Sequence, residues 1–135
     1  MIQLFYIFSD WAMLAIRLAL ALILIAHGWP KIKDLETTAK NFAGMGFTPG
    51  RLWGMLAAIA ELFGGLLILI GFFTQIAALI LAAQFIVIMI WRLKTKQKLI
   101  GGYELDLIIL ATLLVLAASN GGALALDSYF RIYLF

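Results

Sequence analysis

The stretch from residue 52 to residue 73 is the feature that most limits the folds open to this chain. It carries a single charged residue, Glu61, in a run dominated by Leu, Ile, Ala, Phe and Gly. A bilayer core about 30 Å thick is crossed by roughly 20 apolar residues in an α-helix. The stretch therefore predicts a transmembrane helix.

Three further stretches are apolar enough to cross a bilayer in the same way: residues 11–29, 75–91 and 103–119. Backbone groups cannot stay unpaired in hydrocarbon, and the alternating pattern of a membrane barrel is absent from the sequence, so these stretches are expected to be helices. Almost nothing separates the second stretch from the third, which predicts a tight antiparallel hairpin. We predict an all-α polytopic membrane protein, an antiparallel four-transmembrane-helix bundle in one domain over residues 1–135.

Composition supports lipid as the natural solvent. The chain is 65% hydrophobic and 13% charged, whereas soluble domains are about half apolar and a quarter charged. A chain this short cannot hide that much apolar surface in one water-soluble core. The bilayer is the expected partner, and nucleic acid is not, because the basic residues lie beside apolar runs rather than in one patch. The absence of cysteine from the sequence excludes disulfides and thiolate chemistry within this chain.

The distribution of basic residues predicts the orientation of the four spans. The first segment lacks a positively charged start, so we interpret it as a retained helix rather than a signal peptide. The two loops on one side, residues 30–51 and 92–102, hold most of the basic residues: Lys31, Lys33, Lys40, Arg51, Arg92, Lys94, Lys96 and Lys98. The positive-inside rule places both loops in the cytoplasm and both termini outside, in a plasma or inner membrane. Half of the first loop is predicted to be a short interfacial helix.

Two ionisable residues lie deep within the predicted spans. Arg17 and Glu61 lie on spans that run in opposite directions, and counting residues from the start of each span places them at similar depths. We predict that they pair, because a lone charge in a membrane is costly. Such a pair has two possible roles: it fixes the register of the helices and nothing more, or it forms part of a ligand site. Gly64 and Gly65 follow Glu61 by one turn and predict either a packing notch or a ligand gap. Gln84, deep in the third span, is expected to make an interhelical hydrogen bond.

A second polar group is predicted at the loop end of the bundle. His27 and Lys31 close the first span, and Glu104 and Asp106 open the fourth on the same side. Together they would form an interfacial mouth that exchanges protons, although a lone histidine is also common as a structural donor. A metal is not predicted, because one histidine and scattered carboxylates are a weak ligand set. Asp127 is expected to cap the short C-terminal segment that follows it.

Several motifs, taken in order, resemble a known family. They are Arg17, then residues 27–31 (HGWPK), 45–49 (MGFTP), 61–74 (ELFGGLLILIGFFT) and 121–127 (GGALALD). Over residues 11–129 their spacing is similar to that of the DoxX family of small four-helix membrane proteins. The resemblance implies a link to redox systems, since family members include a membrane subunit of a thiosulfate:quinone oxidoreductase and associates of thiol and superoxide defence proteins. It also implies cytoplasmic termini, but we follow the charge distribution instead.

Three functions are compatible with these features. The leading hypothesis is a quinone-interacting subunit of a membrane redox complex, in which Arg17 orients a ring carbonyl, Glu61 or His27 exchanges a proton, and partner redox proteins supply electrons. The second is a non-enzymatic scaffold or assembly factor, since no complete catalytic constellation is evident. The third is a small transporter, which would need a homo-oligomer to form a pore.

Overall fold

Six α-helices make up most of the described part of the chain. The computed structural model describes residues 2–134, with side chains described from Tyr6 onward. The helices are α1 (Ile2–Lys33), α2 (Leu35–Gly44), α3 (Gly50–Ile70), α4 (Thr74–Lys94), α5 (Glu104–Ser119) and α6 (Leu126–Phe130). The segment Leu99–Tyr103 before α5 is a turn kinked at Ile100 and Gly101. Four helical segments are long and apolar enough to cross a membrane: Tyr6–Lys33, Gly50–Ile70, Thr74–Lys94 and Leu99–Ser119. The predicted all-helical, polytopic architecture is confirmed.

The helix ends differ from the predicted ones. Helix α1 begins at Ile2 rather than at residue 11, because the apolar residues before Trp11 continue the helix without a breaker, and it runs through Pro30 to Lys33. Helix α3 ends at Ile70, since Gly71 adopts a left-handed conformation (φ 73°) that stops the helix. The hairpin between α3 and α4 is therefore as tight as the sequence indicates.

Small residues on α3 determine how closely its neighbours approach. A Cβ added to Gly65 would lie 3.2 Å from the Cβ of Leu24 on α1, and one added to Gly64 would lie 2.8 Å from the Cδ1 of Leu81 on α4. The two glycines thus form a notch with two sides, each filled by a different helix. On α1, Gly28 lies against the backbone of Leu62, so α1 and α3 run antiparallel in close contact.

The first loop contains the predicted interfacial helix, α2, which packs on the start of α3. A Cβ on Gly50 would lie 2.1 Å from the carbonyl oxygen of Ala39, so only glycine fits there. Asp34 caps α2 by accepting hydrogen bonds from the Thr37 hydroxyl (2.7 Å) and backbone N–H (3.1 Å). These bonds, the hydroxyl first, hold the pKa of Asp34 below its ordinary value.

The hydrophobic core lies where α1, α3, α4 and α5 meet. Helix α1 packs chiefly on α3, and α4 packs chiefly on α5. Leu24, Ile68, Leu81 and Leu113, one from each helix, are fully buried in this core. The arrangement leaves the outer side of the α3–α4 hairpin less filled, and this is where the candidate site lies.

Candidate functional site

A buried carboxylate joins three helices in the middle of the bundle. Glu61 on α3 is 1% exposed. The Nζ atom of Lys31, from the last turn of α1, donates to both carboxylate oxygens at 2.6 Å, and Nε2 of Gln84 on α4 donates to Oε1 at 2.6 Å. We name Lys31, Glu61 and Gln84 the glutamate site. Its charges balance within the site, which lowers the cost of holding a carboxylate in an apolar bundle.

Helix α1 reaches this carboxylate because of a glycine. A Cβ on Gly28 would lie 3.1 Å from the Cβ of Glu61, so the missing side chain lets α1 approach. Lys31 follows three residues later on the same helix face, and its flexible stem carries the ammonium group to the carboxylate. The Lys31 side chain is 29% exposed while that of Glu61 is 1% exposed. Lys31 therefore connects the protein surface with the buried acid.

An apolar cleft of about 670 Å³ lies beside the glutamate site. Its walls come from α2, the α2–α3 connection, α3 and α4: Phe42, Met45, Phe47, Trp53, Leu56, Ala57, Ile59, Ala60, Phe63, Gly64, Leu67, Ile76, Ala77, Ile80, Gln84, Val87 and Ile88. Gln84 is the one amide side chain among these residues. Its described hydrogen bond uses one N–H, so a second N–H and the Oε1 atom can serve a ligand in the cleft.

A different polar group occupies the hairpin end of the bundle. The guanidinium of Arg17, which is 2% exposed, donates to the carbonyl oxygens of Ile68 (3.1 Å), Leu69 (3.1 Å) and Gly121 (3.2 Å). The last carbonyls of a helix lack i+4 partners; the Ile68 carbonyl also accepts from the N–H of Gly71 at 3.2 Å, and Arg17 adds donors to Ile68 and Leu69. With Asp127, these residues form what we name the arginine cluster.

Asp127 caps a helix other than the predicted one. Its carboxylate accepts hydrogen bonds from the backbone N–H groups of Phe73 (2.7 Å) and Thr74 (2.8 Å), where α4 begins. Its own N–H donates to the carbonyl oxygen of Gly71 at 2.8 Å. The prediction that Asp127 caps the C-terminal segment is wrong, because its side chain turns toward the N-terminus of α4, where a negative charge is favoured.

The predicted Arg17–Glu61 pair is wrong. Gly28 lies opposite Leu62 and Gly65 lies beside Ile25, so each step along α1 matches one step back along α3. In this register Arg17 lies just beyond the end of α3, about twelve residues or about 18 Å from Glu61 along the axis. Counting depth from the predicted span ends had placed the two side chains too close together.

The predicted interfacial mouth does not form one cluster. The Nδ1 atom of His27 bonds to the carbonyl oxygen of Ile23 on its own helix at 2.8 Å, and Lys31 turns to Glu61. Among the hydrogen bonds and ion pairs of residues 6–134, His27 and Lys31 are not joined to Glu104 or Asp106. The physical reason is helix pairing, since α1 packs on α3 while the start of α5 packs on α4.

The two acidic residues at the start of α5 have local roles. Glu104 accepts a hydrogen bond from the N–H of Gly101 at 3.2 Å. Asp106 forms an ion pair with Arg92, whose Nε atom lies 2.5 Å from Oδ2 without the geometry of a hydrogen bond. Arg92 also donates to Oε1 of Gln97 at 2.7 Å. Arg92, expected to set topology and to contact lipid headgroups, also ties α4 to α5.

Sequence reasoning missed Gln75. Its Nε2 donates to the carbonyl oxygen of Ala117 at 2.8 Å, and its Oε1 accepts from the N–H of Leu134 at 2.8 Å. The signal was an amide directly after the hairpin, in a helix that is otherwise apolar. Within residues 2–134, groups of three or more His, Cys, Asp or Glu side chains that could hold a metal ion are absent.

Comparison with known proteins identifies the family. The DoxX family model matches residues 12–93, more than half of the chain. The chain belongs to the DoxX family. The resemblance found in the sequence motifs is thereby confirmed, and the matched range contains all three residues of the glutamate site.

One curated relative links the DoxX family to redox chemistry by name. It is "Putative oxidoreductase CatD" from Bacillus subtilis (strain 168), 33% identical over 116 residues that cover 86% of this chain and 84% of the relative. No solved structure matches this chain significantly.

Proposed function

We propose that this DoxX protein is a quinone-interacting subunit of a membrane redox complex and that the glutamate site with its cleft holds the quinone. The observation that carries the proposal is an apolar cleft of about 670 Å³ whose amide, Gln84, is hydrogen-bonded to a buried acid. Ligand sites are mostly apolar concavities with a few convergent polar groups. The name of the Bacillus relative, an oxidoreductase, favours redox chemistry over other uses of the cleft.

The chemistry of a quinone fits this arrangement. One ring oxygen would accept a hydrogen bond from the second N–H of Gln84, and the apolar tail would lie against the hydrocarbon walls of the cleft. Reduction of a quinone to a hydroquinone adds two electrons and two protons. A partner redox protein would supply the electrons, and Glu61 would pass on the protons.

This proposal changes the role expected for Arg17. Gln84, rather than Arg17, is now assigned to orient a ring carbonyl, because Gln84 lines the cleft. The guanidinium of Arg17 donates instead to the backbone carbonyls of the arginine cluster. His27 bonds to its own helix, so Glu61 is the preferred proton donor.

A matched pair of valines tests the proposal. Val87 lines the cleft and is 45% exposed, whereas Val115 on α5 lies outside the cleft and is 47% exposed. In purified protein in lipid nanodiscs, we expect Val87→Trp to weaken binding of a short-tailed naphthoquinone at least about tenfold, by filling space a ligand needs. Val115→Trp should bind like the wild type. Equal binding by both variants, or no binding by the wild type, would refute the site.

The scaffold remains the second candidate, and one observation favours it. The buried charges of Glu61 and Asp127 are both compensated within the chain, as a purely structural role requires. A variant carrying Glu61→Gln and Gln84→Leu that folds and restores the physiological function completely would support the scaffold over the quinone site.

We also propose that the regions 30–51 and 92–102 face the cytoplasm. The support is the charge distribution. Besides Lys31, seven basic residues lie in these two regions, which are at the same end of the bundle. Because the chain contains no cysteine, single substitutions such as Lys96→Cys can be labelled in intact cells with an impermeant maleimide. Labelling of whole cells without permeabilisation would contradict this orientation.

A further inference from the structure

We propose that Lys31 is the proton carrier of the glutamate site, moving protons to Glu61 from the membrane side that holds the α1–α2 and α4–α5 connections. The inference rests on the proposed function and adds a residue and a direction to it. Sequence reasoning had placed Lys31 in a mouth with His27, whereas the structure binds it to the buried acid.

The contact geometry supports a transfer role. Lys31 Nζ lies 2.6 Å from each oxygen of Glu61, a distance typical of charge-assisted hydrogen bonds. Lys31 is two residues from the end of α1 at Lys33, so its ammonium group lies on the loop side of the carboxylate. With 29% of its side chain exposed against 1% for Glu61, Lys31 is the member of the pair that water can reach.

Few other groups can deliver a proton to this carboxylate. The side chains bonded to Glu61 are Lys31 from α1 and Gln84 from α4, and the amide of Gln84 does not titrate. His27, one turn before Lys31, is exposed and bonds through Nδ1 to its own helix. The arginine cluster lies at the opposite end of α3. Among the described side chains, Lys31 is therefore the one titratable group bonded to Glu61, and it is the one exposed on the loop side.

The proton steps balance as follows. When an electron from the reductant places negative charge on a ring oxygen, that oxygen takes a proton through Glu61 while Lys31 supplies one to the same carboxylate, so the charged pair is not first converted to a neutral amine and acid. A ligand oxygen on the second N–H of Gln84 would lie about 5 Å from Glu61 Oε1, a gap that one water spans. The transfer leaves Glu61 as a carboxylate and Lys31 as an amine, which regains its proton from water on the loop side. Two such cycles, with two electrons from a reductant, convert the quinone to a hydroquinone.

Arginine at position 31 separates proton transfer from charge pairing. Arginine keeps the positive charge and can still donate to Glu61, but it does not release a proton in proteins. We would reconstitute wild type, Lys31→Arg and Lys31→Met in vesicles with one short-tailed naphthoquinone per protein. Vesicles would be sorted by orientation through trypsin cleavage at Lys94, Lys96 and Lys98. Reduced benzyl viologen, a one-electron donor that crosses bilayers, would start the reaction, and pH dyes on both sides would report proton uptake.

In the wild type, we expect protons to be taken up from the loop side. Lys31→Arg and Lys31→Met should slow this uptake at least about tenfold. Lys31→Arg should bind the naphthoquinone as the wild type does. Wild-type uptake rates in Lys31→Arg, or uptake from the hairpin side, would overturn the inference and leave the quinone site standing. Failure of the wild type to bind the naphthoquinone would instead overturn the proposed function, and with it this inference.

Discussion

The two buried polar regions of this protein use charge in opposite ways. In the arginine cluster, Arg17 and Asp127 are 2% and 1% exposed, and they bond to backbone groups at the turn between α3 and α4. In the glutamate site, side chains bond to one another, one member reaches the surface, and another lines a cleft. The first region closes the ends of helices, whereas the second has donors and acceptors left for a ligand.

This difference teaches that the depth of a charge in a membrane helix does not reveal its role. Along the sequence Arg17 lies deeper in its span than Lys31 does, yet in the fold it lies at the hairpin end of the bundle and bonds to the last carbonyls of α3. Lys31 looks like an ordinary interfacial lysine in the sequence, yet it partners the buried acid. The partners of a charge, rather than its depth, separate a structural group from a working one.

The largest expected effect is that of Arg17→Leu. The change removes three donors from buried carbonyls and leaves Asp127 without a nearby cation, so we expect the free energy of unfolding to fall by at least about 3 kcal/mol. Unfolding of purified protein in mixed detergent micelles would measure it. Arg51→Leu, at an exposed arginine on the same bundle, is the control and should change little. A fully stable Arg17→Leu protein would mean that the arginine cluster is not structural.

Asp127→Asn is expected to have the next largest effect. An amide offers one oxygen where the carboxylate offers two, so one of the N–H groups of Phe73 and Thr74 loses its acceptor. We expect a loss of about 2 kcal/mol and weaker protection of these amides from hydrogen exchange. Unchanged exchange at both amides would show that the cap is dispensable.

Glu61→Gln should distinguish the glutamate site from the arginine cluster, because it should lower ligand binding much more than stability. Lys31 can turn to water when its partner loses charge, so we expect a stability loss of roughly 1 kcal/mol. Naphthoquinone binding should fall at least about tenfold, since the amide of Gln84 loses the acid that orients it. Calorimetric binding and unfolding on the same sample would test this, and a large stability loss with normal binding would move Glu61 to the structural class.

The smallest expected effect comes from Asp34, outside both regions. The pKa of Asp34 lies below its ordinary value because of its bonds to Thr37. The ionised carboxylate therefore stabilises the folded protein above the pKa of Asp in the unfolded chain, near 3.9. This stabilisation is lost as the pH falls through the lower pKa of the folded protein. Asp34→Ala should therefore unfold slightly earlier than wild type at pH 6, and the difference should vanish in strong acid. A difference that persists below about pH 2 would contradict the titration.

The sequence was informative about the helices because each carries its own signal. The apolar run around Glu61 predicts a span wherever its neighbours lie, although the predicted end at residue 73 runs past the actual stop at Gly71. The interfacial helix α2 follows from a polar segment between two apolar runs. These features depend on residues close together in the chain, so they could be predicted without the fold.

The partners of the charges could not be predicted in the same way. Pairing Arg17 with Glu61 required the register between α1 and α3, which the contacts of Gly28 and Gly65 determine. The target of Asp127 depended on how the chain after α5 folds back to the hairpin. The cleft depends on how α3 and α4 pack against each other, for which the sequence carries no local signal.

Experimental density for the wild type with bound naphthoquinone would test the central claim most directly. A structure solved by electron cryomicroscopy in nanodiscs, enlarged with a bound antibody fragment, would show where the ring lies. The account predicts the ring in the cleft with one oxygen within hydrogen-bond distance of Gln84 Nε2, and Lys31 still on Glu61. A ring bound at the arginine cluster, or a cleft filled only by lipid at saturating naphthoquinone, would contradict it.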